Sequence, residues 1–290
     1  MEKRFNLPQN IDKYMYFMEF IKSASPLTLK HYGLDLRQAF GENDSQELSE
    51  DELLTECRLA FNRWARLSLS SRNRKAATLK SFLGWAFQEN LLSRDLSLQI
   101  TCPKVPKKLP HFLSVDEALA VLKALNTEGS LQEQTLFSLL YGGGLRVSEA
   151  CQLRWDQVFL QRQELRVLGK GKKERVIVLP TLSCKYLEKI KKTSMGETYI
   201  WGNSPLDSRV AYNMVRRSGQ RAGLLKPLHP HALRHSFATH LLSSGTNLRT
   251  LQEILGHESL QATEKYTHLG IDQLARTMED LHPLGKKNST

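Results

Sequence analysis

Histidine and arginine side chains are concentrated in one segment near the C-terminal end of the 290-residue chain. Seven of the nine histidines follow residue 228, and four of these seven stand close to Arg234. Such a cluster is a candidate metal site. His231 and His235 have the spacing of one helix face, but Ala232 stands where a metalloprotease motif carries its glutamate base. We therefore expect no metal, and we expect His235 and His240 to be packing residues that hydrogen-bond to backbone.

Further motifs accompany this cluster. Upstream stand Gly-Leu-Arg146-Val-Ser-Glu149 and the run Gly-Lys170-Gly-Lys-Lys-Glu-Arg, and downstream Leu-Gly-His257 is followed by Tyr266. A single arginine is usually a surface charge and a single tyrosine usually packs, so the signal lies in the combination. In this order the motifs resemble those of the tyrosine recombinases. The resemblance implies six catalytic residues: Arg146, Lys170, His231, Arg234, His257 and Tyr266.

The side chains also fit the chemistry that the resemblance implies. DNA can be cut and resealed without net energy input if a nucleophile holds the phosphate as a covalent ester, and the phenol of Tyr266 can do so. A tyrosine has a pKa of about 10, so the phenol must be stabilised as it loses its proton. Arg146 and Arg234 offer planar forks that spread the charge of the attacked phosphate, in place of the divalent cations of many phosphoryl-transfer sites. Neither a metal nor another cofactor is then required.

Lysine and histidine complete the expected site. In the family's motif the lysine between two glycines is the general acid that protonates the leaving 5′ oxygen. This motif assigns the role to Lys170, with Lys172 as the second choice. His231 and His257 suit proton transfer or hydrogen bonds to the phosphate.

Two groups of charged residues stand beside the expected catalytic residues. Glu149 follows Arg146 by three positions, the spacing at which helical side chains meet. It can hold the guanidinium in place from behind the site; the alternative is an ordinary exposed carboxylate. In the glycine-flanked run, Lys172, Lys173 and Arg175 are either solvated charges or phosphate contacts.

The elements that must position these residues fall into two segments. Apolar residues recur at helical spacing through most of residues 11–90, which predicts an all-helical domain over residues 1–100. The acidic stretch 42–56 is predicted to be a solvated loop. Residues 101–110 hold three prolines and three lysines and are predicted to be an extended linker. A second domain then covers residues 111–290.

The second domain mixes helices with a small sheet. Ser114 with Glu117, and Ser130 with Glu133, have the spacing of capping boxes that begin helices. Three short extended runs predict an antiparallel sheet, at residues 158–160, 164–168 and 175–179. The chain is therefore predicted to be mainly α with one small antiparallel β-sheet, an α+β fold.

The resemblance covers nearly the whole chain. It implies that residues 1–100 are a helical, SAM-like core-binding domain and that residues 111–290 are the catalytic domain, the two forming a C-shaped clamp on DNA. A helix at about 272–281 carries an apolar stripe of Leu274, Met278 and Leu281. In the family this terminal helix docks on a neighbouring protomer, and we expect the same here. Packing on its own domain is the alternative.

The charge of the chain favours a polyanionic partner. Lys and Arg total 41 against 30 Asp and Glu, a formal +11. Residues 1–106 hold 15 basic and 13 acidic side chains, whereas residues 107–290 hold 26 and 17, so the second segment carries most of the excess. We expect double-stranded DNA as the partner. The candidate DNA-contact residues are Lys30, Arg37, Arg72, Arg74, Lys75, Lys80, Arg216, Arg217 and Arg221.

Cysteine usage and hydropathy indicate the compartment. The four cysteines form no C-x-x-C pair, so neither a zinc knuckle nor a redox dithiol is indicated. No apolar leader and no run of about 18 apolar residues occurs. We expect a cytoplasmic protein without membrane insertion.

Within the tyrosine recombinases the chain is most similar to the bacterial Xer recombinases, by its compact length and by the run Leu-Arg-His-Ser-Phe-Ala-Thr-His-Leu-Leu. That group resolves chromosome dimers at a short DNA site. The expected partners are a paralogous Xer recombinase in a tetrameric complex and a DNA translocase at the division septum. The alternatives are an integrase of a mobile element or phage, an enzyme similar to type IB topoisomerases, and a DNA-binding relative that has lost activity.

Overall fold

The structure is a computed structural model that describes residues 4–41, 47–106, 112–168, 174–194, 196–246 and 278–285. The chain divides into two compact units, residues 1–108 and 109–290. The boundary lies within the stretch predicted to be a linker, residues 101–110. In the described ranges, no helix has the length and apolar character needed to cross a membrane.

The first unit is built mainly from helices. They are α1 (Leu7–Tyr16), α2 (Pro26–Phe40), α3 (Glu50–Arg63) and α4 (Leu69–Gln88). A π-helical turn (Phe17–Ile21) extends α1, and a 3₁₀ turn (Leu96–Gln99) follows α4. Two short strands, β1 (Phe5–Asn6) and β2 (Glu47–Leu48), pair antiparallel. The prediction of an all-helical first domain omitted this pair.

Helix α3 begins earlier than the acidic sequence predicted. Ser49 and Glu52 form a capping box, in which Ser49 Oγ accepts from the Glu52 N–H at 3.2 Å and Glu52 Oε2 accepts from the Ser49 N–H at 2.7 Å. Acidic residues in a first helical turn also interact favourably with the helix dipole. The predicted loop over residues 42–56 is therefore wrong from Glu47 onward, and residues 42–46 lie outside the described residues.

Aromatic rings form the centre of the core of the first unit. Tyr14 and Phe82 are fully buried and meet edge to face, with ring centroids 5.3 Å apart, and Trp85 stacks on Phe82 at 6.1 Å. A buried ion pair lies in the same unit, where Lys75 Nζ donates to Asp35 Oδ1 at 2.8 Å. A charge removed from water needs such a partner, so Asp35 fixes Lys75 inside the unit.

The structure gives the bounds of six α-helices in the second unit. They are α5 (Val115–Glu128), α6 (Leu131–Phe137), α7 (Val147–Cys151), α8 (Thr181–Thr193), α9 (Ser208–Arg221) and α10 (Pro230–Ser243). Both predicted capping boxes are confirmed, since Ser114 caps α5 with Glu117 and Ser130 caps α6 with Glu133. A π-helical turn (Ser138–Gly142) extends α6 toward α7.

The predicted small sheet is confirmed to within one residue at each strand end. Its strands are β3 (Val158–Phe159), β4 (Glu164–Leu168) and β5 (Glu174–Val178), in the order β3-β4-β5 and all antiparallel. The β4–β5 register runs from Glu164 opposite Val178 to Leu168 opposite Glu174. The loop between these strands, residues 169–173, lies outside the described residues.

The described C-terminal segment packs on its own unit. Met278 and Leu284 are fully buried in the core of the second unit, and Leu281 packs against that core. Met278 therefore has no exposed surface to offer a second protomer. For Met278 and Leu281 the structure favours the alternative, packing on their own domain. Leu274 lies outside the described residues, so docking of the whole stripe on a neighbouring protomer stays a prediction.

Hydrogen bonds hold the same segment in place. The Glu279 carboxylate accepts from the Thr181 N–H at 2.8 Å, at the first turn of α8. Ser244 Oγ donates to the Leu281 carbonyl at 3.0 Å. Helix α8 has no side-chain cap from its own N-cap residue, Pro180. Glu279 therefore supplies an acceptor to a helix N-terminus that would otherwise lack one.

Candidate active site

Arg146 stands at the N-cap of the short helix α7. Its backbone is extended, and its N–H donates to Glu149 Oε2 at 2.7 Å. The chain reaches it through Gly144, whose φ of +60° lies in the region that favours glycine. The Arg146 side chain keeps 39% of its surface exposed. The guanidinium is thus fixed at its base and accessible to a ligand.

Glu149 lies between two arginines. Its Oε1 accepts from Arg146 Nη1 at 2.9 Å and from Arg175 Nη1 at 2.8 Å, and its Oε2 accepts from Arg175 Nη2 at 2.7 Å. The Glu149 side chain is only 8% exposed. The Arg175 contact is the bidentate pair that matches a guanidinium fork to a carboxylate. Glu149 therefore contacts Arg146 as one of several partners and is not an exposed carboxylate.

Arg175 differs from both expectations for it. It is 7% exposed, and both of its Nη atoms bond to Glu149, so it is neither a solvated charge nor a free phosphate ligand. Residues two apart on a strand share a face, and on β5 Arg175 shares the buried face of Ile177. Residues 176–178 are all apolar, so no alternation in the sequence marks Arg175 as buried.

Arg234 lies on α10, about one turn from the helix start. His229 caps this helix, since its Nδ1 accepts from the Ala232 N–H at 3.0 Å, and Pro230 occupies the first helical position, which suits its fixed φ. Arg234 Nη1 donates to the Gly144 carbonyl oxygen. This bond brings Arg234 to the backbone two residues before Arg146, so the two arginines converge.

Positive charge is in excess at this point. The pKa of Arg234 is lowered to about 10, mainly by burial and also by the positive charges of Arg146 and Arg175, while Glu149 opposes the shift. Burial alone would raise the pKa of Glu149, but the hydrogen bonds and charges of Arg175 and Arg146 outweigh it and hold that pKa below its ordinary value. Three guanidiniums surround one carboxylate. Such an arrangement binds an anion such as a phosphate.

The histidines of α10 have different surroundings. His231 is exposed in the first turn of the helix, three residues before Arg234. His240 is buried, with Nε2 donating to the Leu113 carbonyl at 2.8 Å and Nδ1 accepting from the Tyr141 hydroxyl at 2.8 Å. Burial lowers the pKa of His240. The packing prediction is thus confirmed for His240, whereas His235 is exposed and contacts the Phe112 ring at 5.9 Å.

The remaining expected catalytic residues lie outside the described residues. They are Lys170, His257 and Tyr266, and the same holds for Lys172 and Lys173. The part of the site that the structure describes therefore consists of Arg146, Arg234, His231 and the groups that hold the arginines.

The DNA-contact candidates of the first unit fall into two sets. Lys30, Arg37 and Lys80 are exposed, and Arg72 is half-buried. Arg74 is partly exposed but pairs with Asp35. Lys75 is corrected: it is 5% exposed, its Nζ bonds to Asp35, and it lies 5.0 Å from the centre of the Trp64 ring. A phosphate cannot reach this buried amine without displacing Asp35.

The candidates of the second unit lie on α9. Arg216 is exposed and lines a shallow groove of about 420 Å³. Arg221 Nη1 donates to Glu133 Oε2 at 2.7 Å, and Arg217 Nε lies 3.8 Å from Glu133 Oε1. Glu133 is 4% exposed. A buried carboxylate needs a cation, so Arg221 is committed to Glu133, and Arg216 stays the stronger DNA-contact candidate.

Comparisons with known proteins agree with this arrangement. Residues 111–271 match the sequence pattern of the phage integrase family. The chain is 34% identical to the tyrosine recombinase XerD of Staphylococcus aureus (strain N315), over 94% of this chain and 98% of that relative. It is 32% identical to XerD of Staphylococcus saprophyticus over the same shares.

Solved structures show the same fold. A lambda integrase (75–356) dimer bound to a COC′ core site has a TM-score of 0.67 at 20% identity, covering 90% of this chain and 98% of that one. The XerH site-specific recombinase bound to palindromic difH substrate, a post-cleavage complex, has a TM-score of 0.65 at 21% identity, covering 94% and 80%.

Proposed function

The chain belongs to the phage integrase family and is a tyrosine recombinase, and we propose that it cuts and rejoins DNA at a specific site through a 3′-phosphotyrosyl intermediate. The observation that carries the proposal is the convergence of Arg146 and Arg234 at Gly144. Two guanidiniums at that spot can hold the two non-bridging oxygens of one phosphate. Two ordinary surface arginines would not be expected to converge in this way.

The described groups support a division of labour in the reaction. Arg146 and Arg234 stabilise the negative charge that builds on the phosphate during attack. Such electrostatic stabilisation by preorganised groups is usually the largest single contribution to the rate enhancement. Glu149 keeps Arg146 oriented. His231, exposed one turn before Arg234, donates a hydrogen bond to the phosphate or transfers a proton.

We assign the remaining roles from the sequence motifs. Tyr266 attacks the phosphorus and gives its phenolic proton to one of the two histidines, His231 or His257. The bond from phosphorus to the 5′ oxygen breaks, and Lys170 gives that oxygen its proton. His257 assists at the phosphate. The 5′ hydroxyl of a second strand then attacks the phosphotyrosyl ester, which frees Tyr266 and reseals the DNA. The bonds broken and formed are equivalent in energy, so the cycle needs no external energy source.

Double-stranded DNA is the proposed substrate, with residues 1–100 as the core-binding domain and residues 111–290 as the catalytic domain. The structural relatives include recombinases bound to DNA and a lambda integrase dimer on its core site. The net charge of +11 suits a DNA partner. We propose a multimer on DNA, with four protomers at two aligned sites.

The cellular role that fits best is the resolution of chromosome dimers at cell division. The identity to the XerD proteins over nearly the whole chain supports it. The finer partners that we propose are a paralogous Xer recombinase in the tetramer and a DNA translocase at the division septum. Both act in the cytoplasm, where we place this chain.

Covalent capture tests the proposal. The purified chain is incubated with a labelled pool of nicked duplexes of randomised sequence, and adducts that resist denaturant are recovered and sequenced. We expect a defined DNA sequence in the adducts. Tyr266→Phe should abolish the adduct and keep DNA binding, while the control Tyr212→Phe, at an exposed tyrosine of α9, should keep both.

Each alternative has its own outcome in this experiment. DNA binding without any adduct would indicate a relative that has lost activity. Adducts without sequence preference, together with relaxation of any supercoiled plasmid, would indicate an enzyme similar to type IB topoisomerases. An adduct formed by Tyr266→Phe would refute the assignment of the nucleophile. Recovery of the ends of a mobile element would favour an integrase.

A further inference from the structure

Arg175 makes a buried, bidentate ion pair in the candidate site of the second unit. Both terminal nitrogens bond to Glu149, at 2.8 and 2.7 Å, and the side chains of Arg175 and Glu149 are only 7% and 8% exposed. The two residues are 26 positions apart in the sequence. The pair therefore joins the sheet to α7, which begins directly after Arg146.

The position of Arg175 in the sheet shows which parts of the site its contact with Glu149 connects. It is the second residue of β5 and lies opposite Val167 of β4. The chain segment 169–173, which carries Lys170, connects these two strands. Arg175 thus fixes the base of that segment to the same carboxylate that holds Arg146.

Arg175 acts on the reaction through Glu149. A direct phosphate contact would need a free Nη atom and an exposed side chain, and Arg175 has neither. Glu149, held in place by Arg175, in turn fixes Arg146, because it also accepts hydrogen bonds from the side chain and the backbone N–H of Arg146. We infer that Arg175 is a positioning residue for DNA cleavage, which orients Arg146 through Glu149; this inference rests on the proposed function.

Charge balance gives a second reason for this role. A carboxylate paired with Arg146 alone would cancel the charge that Arg146 must direct at a phosphate. With Arg175 present, Glu149 shares its charge between two guanidiniums, so Arg146 is held in place while the group of three keeps a net positive charge. The pKa of Glu149, held low by these two arginines, keeps the carboxylate charged at neutral pH.

Two substitutions and a matched control test the inference in the full-length chain. Arg175→Met removes the charge and the fork, and Arg175→Lys keeps the charge but loses the fork. The control is Arg166→Met on β4, because Arg166 is exposed and lies 4.7 Å from the Phe159 ring. The DNA is a nicked duplex recovered by covalent capture with the unmodified chain. Two versions of this duplex are used, one with a normal phosphate at the cleavage position and one with a methylphosphonate at the same position.

The methylphosphonate separates positioning from simple loss of folded protein. It is neutral, so a transition state on it draws less on the charge of Arg146. We expect Arg175→Met to slow single-turnover cleavage of the normal phosphate by about 10- to 100-fold, by analogy with the loss of a residue that orients a metal ligand. On the methylphosphonate the factor should be clearly smaller. Arg175→Lys should fall between Arg175→Met and the unmodified chain, and Arg166→Met should match the unmodified chain.

Other outcomes overturn the inference. Equal factors for Arg175→Met on the two substrates would mean that only the fraction of folded protein had changed, since that fraction affects both substrates alike. Rates equal to those of Arg166→Met would mean that Arg175 has no role. The ratio of the two rates does not depend on how much of a variant folds, so a poorly folding variant still gives an answer. Failure of the unmodified chain to form any adduct would instead refute the proposed function.

Discussion

Gly144 lies against the ring of Phe237 so closely that a Cβ atom at this position would be 2.5 Å from ring carbons Cδ1 and Cε1. Gly144 has φ +60° and accepts a hydrogen bond from Arg234 through its carbonyl oxygen. Phe237 is fully buried on α10, one turn after Arg234. The segment that leads to Arg146 and the helix that carries Arg234 are therefore fitted to each other at one glycine.

This fit predicts that Gly144→Ala is strongly destabilising. The new methyl group would overlap the Phe237 ring, which costs about 1–3 kcal/mol, and the left-handed backbone adds about 1–2 kcal/mol. We expect the free energy of unfolding in urea to fall by about 2–5 kcal/mol. Gly223→Ala is the matched control, because Gly223 has φ +69° and nothing within 4 Å of an added Cβ. It should show the backbone cost alone, and equal losses in the two variants would contradict the packing argument.

His282 predicts an acid sensitivity of the second unit. Full burial lowers its pKa from 6.5 to about 3, and its ring lies against Tyr141 and Phe237. In the unfolded chain this histidine therefore gains a proton as the pH falls below about 6.5, whereas in the folded chain it stays neutral down to about pH 3. The stability from the neutral ring is full above pH 6.5 and falls as the pH drops toward 3. Between pH 7.5 and 5 we expect a loss of about 2 kcal/mol from this group.

Urea unfolding at both pH values measures this loss. His282→Asn keeps an acceptor for the Leu284 N–H, which now bonds to His282 Nδ1 at 3.1 Å, but has no proton to gain. This variant should lose about 2 kcal/mol less than the unmodified chain over the same pH range. His235→Asn, at an exposed histidine, should keep the full dependence. His240 contributes in the same direction because burial lowers its pKa too, so some dependence should remain in His282→Asn.

The elements that could be predicted from the sequence are those set by neighbouring residues. Ser114 with Glu117 and Ser130 with Glu133 encode their helix starts within four positions. The strands of the small sheet follow from short extended runs in consecutive order, which pair with their neighbours. The start of α3 differs from the prediction because the acidic composition around Ser49 favours a loop, although Ser49 and Glu52 have the same capping spacing.

The burial of charged residues could not be predicted in the same way. Lys75 and Asp35 are 40 positions apart, and Arg175 and Glu149 are 26 apart, so only the folded chain brings the partners together. The candidate site shows the same limit. Composition and spacing did not link Arg146 to Arg234; the order of the family's motifs did, and the structure adds the bond to Gly144 that joins them.

Two arginines of α9 predict different effects on DNA binding. Arg216 is exposed, whereas Arg221 is paired with the buried Glu133. Arg216→Ala should weaken DNA binding and reduce by about one the slope of log affinity against log salt, since one phosphate contact is lost. Arg221→Ala should leave the slope unchanged and lower stability, because Glu133 loses its partner. Titration of one labelled duplex at several salt concentrations measures both, and an equal slope change in the two variants would contradict the assignment.

A substrate with a different leaving group can decide whether Lys170 or Lys172 is the general acid. A general acid contributes about 10²- to 10⁴-fold by protonating the 5′ oxygen, so Lys170→Ala should slow cleavage of normal DNA by about that factor. A 5′-bridging phosphorothiolate releases a thiolate, which is stable without a proton. Lys170→Ala should therefore cleave this substrate nearly as fast as the unmodified chain does.

Lys172→Ala is the internal control, since it removes the same charge two positions away. It should cleave both substrates at rates close to those of the unmodified chain. Rescue of Lys172→Ala by the sulfur, and not of Lys170→Ala, would transfer the role to Lys172. A slow Lys170→Ala that the sulfur does not rescue would mean that Lys170 holds the DNA or the phosphate, because sulfur substitution removes only the need for a proton at the leaving atom.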